Sequence, residues 1–243
     1  AKFIERGGAD LVIVYNSGRF RMAGHGSTAG MMAYGDANAV AMEIGEYEVL
    51  PVVEEIPVIC GVHATDPRRR MWHWLGKVKD MGFSGINNFP THTIIDGKFR
   101  QILEETGMSV KKEFETVALA RKMEMFTIVY VGSPEESKAM AEAGADVIIA
   151  HVGTTVGGSI GVTNATMSLP EAAKITQGII DAAKSVRKDL IFSATAVRST
   201  RPRTPPSSTS TPTPMGSSAP RAWSAWRSSS RSPTSPSASS RSR

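Results

Sequence analysis

Cysteine is nearly absent: the 243 residues include one, Cys60. A single thiol excludes an internal disulfide framework, and its place within the apolar run Pro57 to Val62 fits a reducing cytoplasm. No apolar run reaches the roughly 20 residues that span a bilayer, so no membrane association is expected. A basic-then-apolar leader is also missing, because the chain opens at Ala1-Lys2-Phe3 without Met, already in a helical pattern. An N-terminally truncated fragment is expected on that ground.

Acidic residues, lysine and most large aliphatics vanish after Phe192. Residues 193–243 contain eight Arg but no Lys, Asp or Glu, and Val197 is the one Leu, Ile or Val. Such a Ser/Arg/Pro/Thr string has little with which to build a core and reads as a disordered tail. It also distorts the charge. The whole chain carries +5, but with 28 basic residues less those eight against all 23 acidic ones, residues 1–192 carry about −3. The basic balance therefore gives no reason to expect nucleic acid as a partner of the folded part.

Within residues 1–192, short β-branched runs alternate with helical stretches. The runs are Leu11 to Tyr15, Pro57 to Val62, Gly85 to Phe89, Phe126 to Val131, Asp146 to His151 and Asp189 to Phe192. This is the βαβ rhythm of an α/β protein with a parallel sheet, and strands apolar on both faces match burial on both sides. Helix starts are marked at Asp66-Pro67, at Ser133-Pro134-Glu135-Glu136 and at Ser168-Leu169-Pro170-Glu171, the last two as capping boxes. Ala172, Ile175, Ile179, Ala183 and Val186 recur at spacings of three and four as one buried stripe. Gly82, Gly107 and Gly144 stop helices. Periodicity leaves a doubly wound sheet and an incomplete (β/α)8 barrel open. Polar, Gly-rich segments after nearly every strand favour the barrel, where chemistry collects at many strand ends.

Those segments supply the candidate site residues. Asn16-Ser17-Gly18-Arg19-Phe20-Arg21 follows the first strand, and long polar loops there are usually functional. Arg19 and Arg21 can grip a carboxylate or phosphate by forked hydrogen bonds. Thr154 to Gly161 follows the strand ending in His151, and the backbone NH groups of Gly157, Gly158 and Ser159 form a candidate anion cradle without Walker or dinucleotide spacing. His151 itself is placed for acid or base work near neutral pH. His63 with Asp66, and Asn88 with His92, occupy comparable strand ends, where the same residue types also serve structure. Asp36 reads as a helix cap, Arg68 to Arg70 as a solvated helix start, and Met71, Trp72 and Trp74 as helix packing. The spacing of His, Cys, Asp and Glu matches no specific metal motif.

Five blocks in order, DLVIVYNSGRFRMAGHGS, YGDANAVAMEI, GINNFPT with IDGKFRQILEETGM, AEAGADVIIAHVG and TTVGGSIG, resemble the phosphoenolpyruvate hydrolase-like TIM-barrel family, whose members include the C-terminal domain of plant tobamovirus-resistance proteins. The resemblance covers residues 1–192 and implies a TIM (β/α)8 barrel of the phosphoenolpyruvate/pyruvate superfamily, incomplete here. It further implies a small anionic ligand of phosphoenolpyruvate or pyruvate type at the C-terminal rim, with nominal hydrolase or lyase activity and room for a divalent cation such as Mg. His151 and Asp66 would serve catalysis, with Asn16, Ser17, Arg19, Asn88, Gly157, Gly158 and Ser159 as ligand contacts. Intact relatives are expected to be homo-oligomers and to follow an ATP-binding-type domain. The alternative expectation is a non-catalytic ligand-sensing or protein-interaction barrel, or an inactive fragment.

The chain departs from the family pattern at both ends. Members open with a strand and a GGGAGTG-like loop, and end with CHGGPI after the seventh strand and DGFFGASSMERL at the eighth. TGC CAC GGC GGT CCG ATC G encodes CHGGPI and, read one nucleotide later, gives Ala194-Thr195-Ala196-Val197-Arg198-Ser199. The same shift of a DGFFGASSMERL coding string gives Met215 through Trp226. Residues 193–243 are therefore expected to be the family's C-terminus in the wrong frame, after one lost nucleotide near the codon for Ser193, with the first and eighth strands missing.

Overall fold

The computed structural model describes residues 1–154, 160–163 and 167–195. Six parallel strands lie side by side in sequence order: β1 (Val12–Val14), β2 (Val58–Gly61), β3 (Gly85–Asn87), β4 (Phe126–Val131), β5 (Val147–His151) and β6 (Ile191–Thr195). The unbroken order is that of a barrel wall, since a doubly wound sheet reverses direction at a switch point. No strand among the described residues joins β1 to β6, so the sheet is an open half-barrel. The final strand continues three residues past Phe192, with Thr195 in register with His151.

The connecting helices are α1 (Lys2–Arg6), α2 (Ser17–Met22), α3 (Ala37–Ile44), α4 (Met71–Asp80), α5 (Gly97–Glu105), α6 (Lys111–Lys122), α7 (Pro134–Ala143) and α8 (Leu169–Lys184). Alternation along the strands assigns two faces. Val12, Val14, Val58, Cys60 and Ile86 pack outward against α3 and α4, while Val129, Val131, Ile148 and Ala150 pack against α7 and α8. The intervening positions, Ile13, Ile59, Ile128 and Ile149, turn toward the barrel interior. Ala172, Ile179 and Ala183 form the expected buried stripe of α8, with Ile175 and Val186 partly buried beside them. Cys60 is fully buried, and burial pushes its thiol up and keeps it protonated.

Ser168 and Glu171 make the full reciprocal capping box of α8, and Gly144 ends α7 at φ +93°, the left-handed cap that glycine adopts without strain. At α7 only half the box forms. Ser133 Oγ accepts from Glu136 N, but the Glu136 carboxylate takes Gly132 N at 2.9 Å and Thr93 Oγ1 at 2.7 Å instead. Asp66-Pro67 does not start a helix: α4 begins at Met71, because the Asp66 carboxylate accepts from Arg68 N and ion-pairs with Arg69, closing a separate turn. Arg69 is thereby ion-paired and mostly covered, whereas Arg68, although paired with Asp36, stays 65% exposed, and Arg70 is exposed as expected. Trp74 packs on the core and Trp72 does not, being 55% exposed and stacked on His73. No described helix is long and apolar enough to cross a membrane.

Candidate functional site

Parallel strands bring the residues that follow them to one rim, and a row of rings lines the inner side of that rim. Tyr15 beyond β1 packs on Phe89 beyond β3 with centroids 4.5 Å apart. Phe89 meets Tyr130 of β4 edge-on at 6.3 Å, and Tyr130 meets His151, the last residue of β5, at 5.5 Å and 87°. At the end of β2 the row needs Gly61, since a Cβ there would sit 2.4 Å from Tyr15 Cβ and 3.0 Å from Phe89 O.

These rings border a concavity of about 120 Å³ at the barrel mouth, shared with Arg21, Thr28, Thr154 and Thr195. That is well under the roughly 300–1,000 Å³ of drug-sized ligand sites, so it suits only a small molecule. The described lining residues include one guanidinium and no carboxylate. Burial lowers the affinity of His151 for protons below the ordinary histidine range, leaving a neutral imidazole with one donor and one acceptor at pH 7. The Tyr130 phenol is pushed up by burial first and by Tyr15 second, so it remains a hydrogen-bond donor.

Of the residues singled out from sequence, His151, Arg21 and Thr154 border this concavity. Arg19 and Arg21 lie two apart on α2, a spacing that sends them to different faces. Arg21 reaches the mouth, whereas Arg19 is committed to Glu43 at 3.0 Å and Glu48 at 2.9 Å. Asn16 and Ser17 are buried and hold the following loop, Asn16 Nδ2 donating to Gly30 O at 2.8 Å and Ser17 Oγ to Ser27 O at 2.8 Å. Asn16 Oδ1 has no partner among the described residues. Gly157, Gly158 and Ser159 lie outside the described residues.

Asp66 belongs to a separate cluster. Its carboxylate accepts from Arg68 N and Asn38 Nδ2 and pairs with Arg69, while Arg69 and Arg68 also reach the Asp36 carboxylate at 2.6 and 2.5 Å. Burial alone would raise the Asp66 proton affinity, but these donors outweigh it and hold the carboxyl below its usual range. An ionised aspartate held by Arg68, Asn38 and Arg69 is a tether between loops rather than a proton donor. Asp36 caps α3 through Ala39 N as expected.

Asn88 is likewise spent on structure. It exchanges hydrogen bonds with the Tyr130 backbone, accepting from N at 2.7 Å and donating to O at 3.0 Å, which extends the β3–β4 pairing through a side chain. Its Nδ2 also donates to Glu113 Oε2 at 2.7 Å. Glu113, 1% exposed on the first turn of α6, further accepts from Thr91 Oγ1 and His92 N and so fixes the segment carrying Phe89. Burial raises its carboxyl to about 7 against those donors. Sequence reasoning missed Glu113, although an acid sharing a helical stripe with Val117 and Ala120 is a readable anomaly. It also missed Tyr15 and Tyr130, the second of which shares the inward strand face with Ile128.

Metal chemistry finds no fit at the mouth. A hard divalent cation takes oxygen ligands, chiefly carboxylates, and the described lining residues offer none. No group of three or more His, Cys, Asp or Glu suited to a metal occurs among the described residues.

The sequence relationships agree with this architecture. The tomato (Solanum lycopersicum) ToMV susceptible protein tm-1(GCR26) and ToMV resistance protein Tm-1(GCR237) are each 52% identical to the chain over 191 residues, which is 79% of this chain and 25% of either relative. The y4pA protein of Sinorhizobium fredii is 34% identical over 191 residues, 79% of this chain and 31% of that protein. The chain therefore spans about a quarter of the length of its tomato relatives. A family model described as phosphoenolpyruvate hydrolase-like matches residues 1–196, and the chain belongs to that family.

Proposed function

We propose that the barrel mouth binds a small anionic ligand of phosphoenolpyruvate or pyruvate type. The observation that carries this reading is the lining of the mouth: one guanidinium, phenols, hydroxyls and a neutral imidazole around about 120 Å³, with no carboxylate among the described residues. Arg21 supplies the charge and the forked donors for a carboxylate or phosphate, and Tyr130 and Thr154 add neutral donors. Gly157, Gly158 and Ser159, three to five residues beyond Thr154 in sequence, supply the backbone NH part of the proposal. Arg19 takes no part in these ligand contacts, because Glu43 and Glu48 already occupy it.

In the catalytic form of this reading, water and phosphoenolpyruvate give pyruvate and inorganic phosphate, and His151 carries the proton. Thr195 lies opposite His151 across the β5–β6 pairing, and the restored frame would place a histidine codon at that position. We therefore assign turnover to the restored chain. A second reading, a ligand sensor without turnover, is favoured by the mouth offering a single imidazole and no carboxylate partner for it among its described residues. Titration of phosphoenolpyruvate into the frame-restored chain, with phosphate release followed in parallel, separates the two. Heat with phosphate release supports the hydrolase, heat without release supports the sensor, and no heat removes both.

A further inference from the structure

A second concavity, of about 330 Å³, opens beside the mouth between the loop after β1 and the segment from β3 to α6. Met31 and Met32 form one lip, Phe99 and Leu103 of α5 the other, and Met108 adds to the apolar wall. Met32 and Phe99 stay 58% and 61% exposed, so large apolar side chains on facing lips are left uncovered. At the polar end stand His63, Asp66 and His92.

The chemistry of that polar end selects against charge. The carboxylates of Asp36 and Asp66 are matched by Arg68 and Arg69, so neither sign is in excess. His63 is lowered by burial, and His92 is pushed to about 4 by burial and by Arg100, so both imidazoles are neutral at pH 7. His92 is 4% exposed, and its Nδ1 has no hydrogen-bond partner among the described residues. That nitrogen is enclosed, so a ligand pairs with it only after the ring turns toward the concavity, and its missing partner lowers the cost of that turn.

We propose that this concavity is a second small-molecule site, separate from the mouth, for an uncharged ligand with a flat apolar body and one hydrogen-bonding edge that meets the His92 imidazole. Polarisable methionine thioethers on two sides suit an aromatic body, because sulfur packs favourably against ring edges. A charged ligand would enter a balanced, partly desolvated site with no counter-charge to spare. Mouth and second site share one wall: Phe89 and Ile94 face the first, Pro90, His92 and Ile95 the second.

Indole is the probe, added to the full chain with methionine methyl groups labelled for NMR. Saturable binding is expected, with contacts from indole to the Met31, Met32 and Met108 methyls. Ala33→Trp, which fills the opening, should lower affinity by at least about tenfold, as should His92→Phe, while His92→Gln keeps a donor and acceptor and most of the affinity. Benzoate and benzylammonium should bind far more weakly, and saturating phosphoenolpyruvate should not displace indole. Absence of saturable indole binding, contacts confined to other methionines, equal affinity for either charged analogue, or displacement by phosphoenolpyruvate would each overturn the proposal. None of these results depends on whether the mouth binds an anion.

Discussion

The Tyr130 ring and the His151 imidazole meet nearly at right angles, with 5.5 Å between centroids. Burial sets the His151 proton affinity below the ordinary value and keeps the ring neutral at pH 7. Stability from a histidine lowered in the folded state is present above its unfolded value near 6.5 and is lost as pH falls through the folded value. The His151 ring signals should therefore titrate below pH 6.5 in NMR, and Tyr130→Leu should move the midpoint upward if it admits water. A midpoint above 6.5 in the wild-type chain would contradict the burial described for this ring.

Gly61 is the point where the ring row is most sensitive to substitution. A methyl group at 2.4 Å from Tyr15 Cβ and 3.0 Å from Phe89 O must displace one of them. Gly61→Ala is expected to cost about 1–3 kcal/mol in denaturant unfolding, the usual range for overpacking. It should weaken ligand binding at the mouth as well, because Tyr15 and Phe89 both line it. An unchanged midpoint would show that Tyr15 is not seated as described.

Glu113 gives stability a pH dependence of the opposite sign. Its carboxyl is raised from 4.5 to about 7, so its contribution is complete below pH 4.5 and is lost as pH rises through about 7. Replacing it by Gln keeps an acceptor for Asn88, Thr91 or His92 and removes the titration. The stability of Glu113→Gln relative to wild type should improve between pH 4.5 and pH 8, by up to about 3 kcal/mol. A difference that is flat, or that falls with pH, would refute the burial of this acid.

Asp66 is expected to behave as a tether. Removing Asp66 from this half-buried cluster takes away charge-assisted hydrogen bonds that contribute about 1.5–3 kcal/mol. Asp66→Ala should approach the lower end of that range, because Arg69 retains Asp36. Amide exchange should rise in the 31–38 and 63–70 segments. Unaltered protection in both would mean that the cluster does not hold them together.

How much of this was legible without coordinates depended on whether a residue's role is local. Parallel β/α order, the α8 stripe and the Ser168 box follow from spacing and capping chemistry along one segment, and each is present. Asp66 and Arg19 have partners that the sequence does not disclose, for a common reason. Each has the side chain a ligand site would use, but Asn38 lies 28 residues from Asp66, and Glu48 lies 29 from Arg19. No local pattern reports such partners. Arg21 and Arg19 are indistinguishable by composition and separate only through the rotation of α2. Asn88 and Glu113, 25 residues apart, form a buried pair that the helical stripe of α6 half discloses.

The contrast between the two arginines is also the most direct test of the central claim, that the barrel mouth is an anion site with Arg21 as its cation. Phosphoenolpyruvate is titrated calorimetrically into the chain, into Arg21→Ala and into Arg19→Ala at matched ionic strength. Loss of one charge-assisted contact should weaken binding by about tenfold or more in Arg21→Ala. Arg19→Ala should leave affinity unchanged and cost at most about 1 kcal/mol of stability, since its ion pairs with Glu43 and Glu48 are solvent-exposed. Full affinity in Arg21→Ala, or an equal loss in both variants, would contradict the site.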